Sequence, residues 1–246
     1  MKNLPAILLL LLLLAGCNKE LVFETRSYLK KTTIPCPEQC PQIKVDVPVA
    51  TEGAAADSIN AKIFSTVAGI LNFGEKPSAA KTYDELLRSF IAAYEKMQRE
   101  APDELIGWEG DIEGRILYQS DAVLNIEIKH YTFTGGAHGY SGLRSLLFDP
   151  ETGKSIPVSA LFNDVAGFTR FAERQFREEN KIPEGVPINS AGLMFEKEKF
   201  HLPQNIFFTH DGILLYYNAY EIASFAEGAK ELLLPYEKVD KYLVIK

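Results

Sequence analysis

The chain lacks the sequence features of several large functional classes. Its 246 residues carry a formal net charge of −7 without a cluster of lysine or arginine, which argues against binding to nucleic acid or to anionic lipid headgroups. No G-x-S-x-G, H-E-x-x-H, P-loop, dinucleotide-binding or EF-hand motif occurs. We therefore predict that the protein is not an enzyme and needs no cofactor.

Aromatic residues, by contrast, are abundant. The chain contains 15 phenylalanines and 11 tyrosines, and 46% of its residues are hydrophobic. This content is sufficient for a packed globular core, and the aromatic residues favour β structure. We expect a folded body rather than a disordered chain.

The amino terminus has the organisation of a bacterial export signal. Lys2 is followed by an apolar segment, residues 4–15, that is too short to span a bilayer as a stable anchor. The sequence Leu13-Leu14-Ala15-Gly16-Cys17 resembles a lipobox, which implies cleavage after Gly16 and attachment of diacylglycerol to the Cys17 sulfur. The alternatives are an ordinary cleaved signal peptide and an uncleaved helix. We predict a lipoprotein signal peptide over residues 1–16 and a lipid anchor at Cys17.

The predicted anchor indicates where the protein acts. Two or three acyl chains hold a protein on a membrane durably, whereas a single chain does not. Loss of residues 1–16 removes one charged residue, Lys2, and leaves 25 basic against 33 acidic residues, a net charge of −8. We expect an acidic, extracytoplasmic body held on a bacterial membrane by its N-terminal lipid, at the outer membrane or the periplasmic face.

Two further cysteines enclose a short loop, Cys36-Pro37-Glu38-Gln39-Cys40. Outside the cytoplasm a disulfide between them is chemically permitted. The alternative is half of a metal site, but no second Cys or His pair stands nearby to complete four ligands. We favour the disulfide, which would stiffen the point where a lipid-anchored tether, residues 17–41, meets the folded domain.

Periodicity predicts the elements of the first half of the domain. Residues 18–34 show little periodicity and are assigned to the tether. Residues 42–49 alternate as a strand, and a helix with apolar residues at helical spacing starts at Asp57. Thr82-Tyr83-Asp84-Glu85 has the form of a capping box and begins a second helix that ends before Pro102. Three strands of an antiparallel meander follow, at residues 108–118, 122–134 and 140–149.

The second half begins with a turn at Asp149-Pro150-Glu151-Thr152-Gly153. Asn163 and Asp164 can cap a helix that runs to about Lys181, and residues 182–203 are predicted to be irregular. Asp211-Gly212 predicts a hairpin between strands at 205–210 and 213–217. A last strand at 229–234 precedes a short helix with Pro235 in its first position.

Two histidines flank a loop rich in glycine, Gly135-Gly136-Ala137-His138-Gly139. His130 and His138 can approach each other across a hairpin, and a metal site that also uses Glu127 or Asp111 is one interpretation. We favour the structural interpretation, in which His130 is a hydrogen-bonded residue at a strand end, and we predict no metal. The glycines suit a tight hairpin, although their exposed amides and His138 can also meet a partner.

Tyrosines concentrate near the carboxyl-terminal strands, where Tyr216, Tyr217, Tyr220 and Phe225 lie close together in the sequence. Tyrosines are good anchors of binding surfaces and are equally common as half-buried strand residues. The candidate ligand-binding residues of the chain are therefore His138, Gly139, Tyr140, Tyr217 and Tyr220.

Several motifs resemble landmarks of a known family. They are Thr134-Gly135-Gly136-Ala137-His138-Gly139, Phe148-Asp149-Pro150-Glu151-Thr152-Gly153-Lys154, Leu161-Phe162, Tyr220-Glu221-Ile222-Ala223, Ala226-Glu227-Gly228 and Leu234-Pro235-Tyr236. Over residues 42–243 the chain resembles the extracytoplasmic domain of RsiV-type anti-sigma factors, which is shared with the non-catalytic amino-terminal region of the peptidoglycan deacetylase PdaC. The resemblance implies an α+β fold, with antiparallel sheets packed against a helical pair and a central helix.

The resemblance also implies a division into a PdaC-like part, residues 42–150, and an RsiV-type part, residues 151–246, in one compact body. In the anti-sigma factors this body is a receptor for lysozyme. This sequence shows no sigma-binding segment with a following transmembrane helix, and no deacetylase domain, so neither activity is carried over. We expect a non-catalytic binding or sensing module of the cell envelope, for lysozyme or another cell-wall ligand such as a glycan. The alternatives are a structural or assembly component of an envelope complex and an unrecognised peptidoglycan hydrolase that uses His138 or His130.

Overall fold

The first of two β-sheets has five strands in the order in which they occur in the chain. The structure, a computed structural model, describes residues 20–36, 40–101 and 107–245. The strands of this sheet are β1 (Val22–Lys31), β2 (Gln42–Glu52), β3 (Glu109–Gln119), β4 (Leu124–Phe133) and β5 (Tyr140–Phe148). Every neighbouring pair is antiparallel except β2 and β3, which are parallel. The predicted meander of β3, β4 and β5 is therefore confirmed.

Strand β1 corrects the prediction that residues 18–34 form a tether. Val22–Lys31 pairs with β2 along its whole length. Tyr28 is half-buried and stacks on the Tyr83 ring, with ring centroids 4.5 Å apart, while most of the strand is exposed. Because β1 is held mainly by backbone hydrogen bonds at a sheet edge, its sequence carries no alternation that would have revealed it.

Two helices separate β2 from β3 in the sequence, α1 (Ala56–Ile70) and α2 (Tyr83–Glu100). Parallel strands need a crossover connection of a dozen residues or more, and this helical pair provides it, which explains the one parallel pair in the sheet. The helices pack on one face of the sheet, and α1 buries Ile59, Ile63 and Val67 there. The apolar spacing predicted for the first helix is confirmed.

The start of α2 is capped by the residues that the sequence indicated. The Thr82 hydroxyl accepts a hydrogen bond from the Glu85 amide, at 3.2 Å. The Glu85 carboxylate accepts from the Lys81 amide, at 2.7 Å, rather than from the amide of Thr82. The backbone amides of Glu85 and Lys81 therefore both have partners. In the usual capping box the carboxylate bonds to the amide of the capping residue, here Thr82, so the second hydrogen bond is displaced by one residue.

The second half of the chain forms a helix and a three-stranded sheet with a separate hydrophobic core. Asp164 caps α4 (Val165–Glu179) by accepting from the Gly167 amide, at 2.8 Å. The sheet contains β6 (Asn205–Phe208), β7 (Gly212–Tyr217) and β8 (Lys230–Pro235), all antiparallel. The remaining short elements are α3 (Val158–Leu161), α5 (Tyr236–Val239), which starts one residue after the predicted Pro235, and three single turns of 3₁₀-helix.

The two halves bury two distinct sets of side chains. One core lies between the first sheet and the helical pair, and includes Ile43, Ile112 and Phe148. The other lies around α4 and the second sheet, and recruits Leu147 from the opposite face of the first sheet and Val123 from the connection before β4. The structure therefore confirms the α+β class, with mostly antiparallel sheets packed against a helical pair and a further helix.

Buried asparagines join the two sheets. The Asn125 amide oxygen accepts from the Phe208 backbone amide of β6, at 2.9 Å, and its nitrogen donates to the Leu146 carbonyl oxygen, at 3.2 Å. Asn205 accepts from the Ser145 amide, at 3.0 Å, and Asn218 accepts from the Leu143 amide, at 2.8 Å. Since β5 lies at the edge of the first sheet, Asn205 and Asn218 replace a neighbouring strand by satisfying its outward amides, and Asn125 does the same for the Phe208 amide of β6.

Replacement of Asn125 by alanine tests this junction. The variant leaves the Phe208 amide buried without a partner and removes the side-chain hydrogen bond to the Leu146 carbonyl oxygen, so we expect the free energy of unfolding to fall by about 1–3 kcal/mol. Urea denaturation measures the loss. Asn72→Ala, which removes a hydrogen bond to Gly74 on the surface, is the matched control and should cost less than about 1 kcal/mol. Equal losses in the two variants would contradict the role given to Asn125.

Candidate functional site

The loop between β4 and β5 presents its backbone at the surface. Gly135 and Gly136 have φ angles of 98° and 94°, which L-residues with side chains rarely adopt. At Gly139 an added Cβ would collide with the Tyr131 ring, so this position requires close approach. The glycines are therefore explained by the tight hairpin that they form. His138 is exposed in this loop.

An aromatic stack connects this loop to the segment after β7. The His138 imidazole lies parallel to the Phe225 ring, with centroids 3.7 Å apart and planes inclined by 11°. The Tyr220 ring lies 5.5 Å from Phe225 with a 30° inclination. We call Tyr220, Phe225 and His138 the ring stack. Tyr220 is 57% exposed, so the stack presents an aromatic surface to solvent.

The backbone beneath the ring stack is strained at Tyr220, whose φ is 71°. A bulky residue is rarely found in this region, and the strain is tolerated only where the surroundings impose it. Here the Glu221 carboxylate accepts from the backbone amides of Asn218 and Gln204, at 3.0 and 3.1 Å. Asn218 in turn pairs with both the amide and the carbonyl oxygen of Leu143. The segment from Asn218 to Glu221 is thus bonded to β5 and to the residue that precedes β6, and its Tyr220 side chain is exposed.

Tyr217 does not belong to this surface, although it is one of the residues predicted to bind ligand. Its side chain is fully buried, and its hydroxyl donates to the His201 carbonyl oxygen at 2.7 Å. Burial raises the pKa of Tyr217 well above its usual value. Tyr217 shares the inward face of β7 with Ile213 and Leu215, because side chains two residues apart point the same way.

Tyr140 lies between the surface and the interior. Its hydroxyl is 3.5 Å from the Ala219 carbonyl oxygen, and its ring lies 5.8 Å from the His130 ring. The structure therefore brings together His138, Gly139, Tyr140 and Tyr220 from the predicted set. It adds Phe225, which was indicated in the sequence only by its position among nearby aromatic residues.

His130 is buried on the face of β4 that also carries Ile126 and Ile128. Neither of its ring nitrogens has a hydrogen-bond partner, so the predicted hydrogen-bonded strand end is wrong in that respect. Burial, with a smaller contribution from the charge of Arg144, lowers the pKa of His130 to about 4. At neutral pH the ring is uncharged, which makes its burial tolerable.

The carboxylates considered as metal ligands lie away from His130. Alternation places Glu127 on the opposite face of β4, where it accepts a hydrogen bond from Arg115 Nε at 2.7 Å. Ile112 pairs with His130 across the sheet, so the neighbouring Asp111 also points to the opposite face. Over residues 20–36, 40–101 and 107–245, no three His, Cys, Asp or Glu side chains come together in a way that can hold a metal ion.

The remaining predicted residues concern the amino-terminal region. The structure contains a disulfide between Cys36 and Cys40, with the Cα atoms 5.5 Å apart, beyond the end of β1. Cys17 and the predicted signal peptide lie outside the described residues. No helix in the described part of the chain is long and apolar enough to cross a membrane.

The fold and the ring stack define a two-sheet α+β protein with an exposed aromatic surface at the junction of its halves. Two family models match separate ranges of the chain. Residues 34–141 match the family model described as deacetylase PdaC, and residues 159–237 match the one described as protein of unknown function (DUF3298). These matches show that the chain resembles a PdaC-type region followed by a DUF3298 region. No curated protein sequence matches the chain.

Two crystal structures are similar to the chain over almost its whole length. A DUF3298 family protein from Pseudomonas aeruginosa PAO1 is 20% identical with a TM-score of 0.66, covering 94% of this chain and 97% of that one. A DUF3298 family member from Bacteroides fragilis NCTC 9343 is also 20% identical with a TM-score of 0.66, covering 91% of this chain and 94% of its own. At this identity the comparison shows a shared fold.

The buried imidazole predicts a pH dependence of stability. Between pH 6.5 and about pH 4 the unfolded chain binds a proton at His130 that the folded chain does not, so stability falls as the pH is lowered through this window. The loss is on the order of 3 kcal/mol. In His130→Phe this component is absent, and urea denaturation at several pH values measures the difference from the wild type.

The exposed His210 provides the control for this experiment. His210→Phe removes a histidine without touching the buried site, so we expect it to keep the wild-type dependence of stability on pH. If His130→Phe retained that dependence as well, the assignment to His130 would be wrong.

Proposed function

We propose that the protein is a non-catalytic binding module of the bacterial cell envelope, held at the membrane by a lipid on Cys17, whose ligand docks on the ring stack. The observation that carries this proposal is the exposed aromatic surface formed by Tyr220, Phe225 and His138 on a strained and firmly attached backbone. The two family matches supply the envelope context.

The ring stack has the physical properties of a binding hot spot. Tyrosine and other aromatic side chains bury a large area at low cost in conformational entropy, and they dominate the energy of many interfaces. The rings are ordered by one another before a ligand arrives, because Phe225 is stacked between His138 and Tyr220. A ligand that covers Tyr220 therefore loses little free energy in ordering the site.

The charge of the chain favours a basic partner. After removal of the predicted signal peptide the net charge is −8, and long-range attraction accelerates association with a cationic protein. Lysozyme combines a basic surface with an envelope location, and the resemblance to RsiV-type domains points in the same direction. We propose a lysozyme-type muramidase as the ligand, and a cell-wall glycan as the alternative that the same aromatic surface can stack against.

We further propose that this chain contains the binding half of the PdaC architecture without its catalysis. The matching family is described as a deacetylase. His130 and His138, the histidines considered as catalytic, both have structural roles. His130 is buried, and His138 is stacked on Phe225. Neither has a carboxylate as a hydrogen-bond partner in the structure, which a histidine acting as a general base commonly needs.

Truncation of the ring stack tests the binding site. In Tyr220→Ala and Phe225→Ala the aromatic surface is lost, so we expect the dissociation constant for purified lysozyme to rise at least tenfold, as is typical of a hot-spot residue. Isothermal titration at low and physiological salt measures it, and binding should weaken as salt rises. Phe73→Ala is the control, because Phe73 is 48% exposed but lies beyond the end of α1, outside the ring stack.

Three results would separate the versions of the proposal. If lysozyme fails to bind the wild type at either salt while glycan fragments bind, the ligand is the glycan. If neither binds, the ring stack is not a site for these ligands. Turnover of peptidoglycan fragments that disappears in a folded His138→Ala variant would overturn the non-catalytic assignment.

The lipid anchor is tested at Cys17 itself. We expect mass spectrometry of the protein from its native membrane to find a chain that begins at Cys17 and carries diacylglycerol on sulfur. Cys17→Ser should leave the protein uncleaved or release it from the lipid pathway, while Cys36→Ser, as the matched control, should retain the modification. An unmodified thiol at Cys17 in protein recovered from the native host would refute the anchor.

A further inference from the structure

The outer edge of β1 has no partner in the described part of the chain. β1 pairs with β2 along one edge, and none of the other described strands pairs with its second edge. The strand is exposed at the four consecutive residues Glu24–Ser27, and it carries two large exposed apolar residues, Val22 (47% exposed) and Leu29 (58% exposed). An open edge of this kind is a template for another strand.

The direction of the free backbone groups follows from the pairing with β2. The Thr32 amide donates to the Pro41 carbonyl oxygen, which turns Thr32 towards β2. Thr25 lies opposite Pro48, which has no amide hydrogen to exchange with it. Since the direction alternates along an antiparallel pair, both observations place the amides and carbonyl oxygens of Thr25, Ser27 and Leu29 on the outer edge.

We infer that this edge is a self-association surface, on which β1 of a second copy of the chain pairs antiparallel about a two-fold axis at Ser27. Thr25 then exchanges backbone hydrogen bonds with Leu29 of the second copy, and the exposed Leu29 side chain gains a neighbour. The first sheets of the two copies become one continuous sheet.

The charges on β1 select this register. With the axis at Ser27, Glu24 lies opposite Lys30 of the second copy, twice by symmetry, and residues 23–31 remain paired. Axes at Arg26 or Tyr28 place Arg26 opposite a second Arg26 or opposite Lys30, which is unfavourable. An axis at Thr25 also joins opposite charges, Glu24 to Arg26, but pairs only residues 22–28. The register at Ser27 combines complementary charge with the longest pairing.

The existing ion pairs of these residues do not oppose the association strongly. Glu24 contacts Arg26 within the same strand, and Lys30 lies 3.9 Å from Asp84. All four side chains are exposed, and exposed ion pairs contribute little to stability. Exchange of one exposed partner for another therefore costs little compared with the new backbone hydrogen bonds.

Cysteine cross-linking of the full chain in detergent tests the register. Cα atoms of directly opposed residues in a hydrogen-bonded pair are about 5.5 Å apart, within disulfide range. We expect Ser27→Cys to give a covalent dimer under mild oxidation, above the level of the wild type, which controls for the native cysteines. Thr25→Cys alone should not cross-link, whereas a mixture of Thr25→Cys and Leu29→Cys chains should.

Sedimentation of uncrosslinked chains gives an independent test. Ser27→Pro removes an outward amide without removing a backbone hydrogen bond to β2, and beyond that loses only the side-chain hydrogen bond to Asp46. It should therefore abolish the dimer while circular dichroism shows an intact fold. Lys30→Glu should weaken the dimer about tenfold, and the exchange Glu24→Lys with Lys30→Glu should restore it. A wild-type chain that stays monomeric at about 100 μM, or cross-linking of Thr25→Cys with itself, would overturn the inference.

Discussion

The hydrogen bonds of three buried asparagines hold the two halves of this protein together. A sheet edge normally ends in unpaired amides, and burial of such amides without partners costs about as much as a lost hydrogen bond. In this fold Asn125, Asn205 and Asn218 supply the missing partners from side chains. The second sheet therefore adjoins the first without continuing its strand ladder.

This junction also determines where the candidate site lies. Asn218 both binds the edge of β5 and begins the segment that carries Tyr220 and Phe225. The loop between β4 and β5 carries His138, which Phe225 meets face to face. Two segments that are about 80 residues apart in the sequence thus form one aromatic surface because an amide side chain aligns them. The strained φ of Tyr220 is maintained by the same contacts.

Local patterns in the sequence predicted much of the fold. The meander, the capped helices and the hairpin at Asp211-Gly212 depend on side-chain alternation and on residues close in sequence, and all are present. Strand β1 was missed because most of its side chains are exposed, so its sequence shows no alternation of apolar and polar residues. The parallel pairing of β2 with β3 was missed because it depends on where the helical pair returns the chain.

The candidate site was predicted only in part, for a similar reason. His138 and Tyr220 were indicated by residue type, but their contact through Phe225 is a long-range property that no local pattern encodes. Tyr217 was included among the candidate ligand-binding residues. Its position two and four residues after Leu215 and Ile213 in β7 places it on the same, buried face of the strand. Residue type alone did not separate a buried tyrosine from an exposed one.

Native-state hydrogen exchange tests most directly whether the asparagine junction makes the two sheets one cooperative unit. The account predicts that the amides of Leu143, Ser145 and Phe208, which donate to asparagine side chains, exchange only through global unfolding, with the same free energy as the central amides of β4. If Phe208 and the rest of the second sheet exchanged at a clearly lower free energy than the first sheet, the two halves would open independently, and the junction would not hold the site in place.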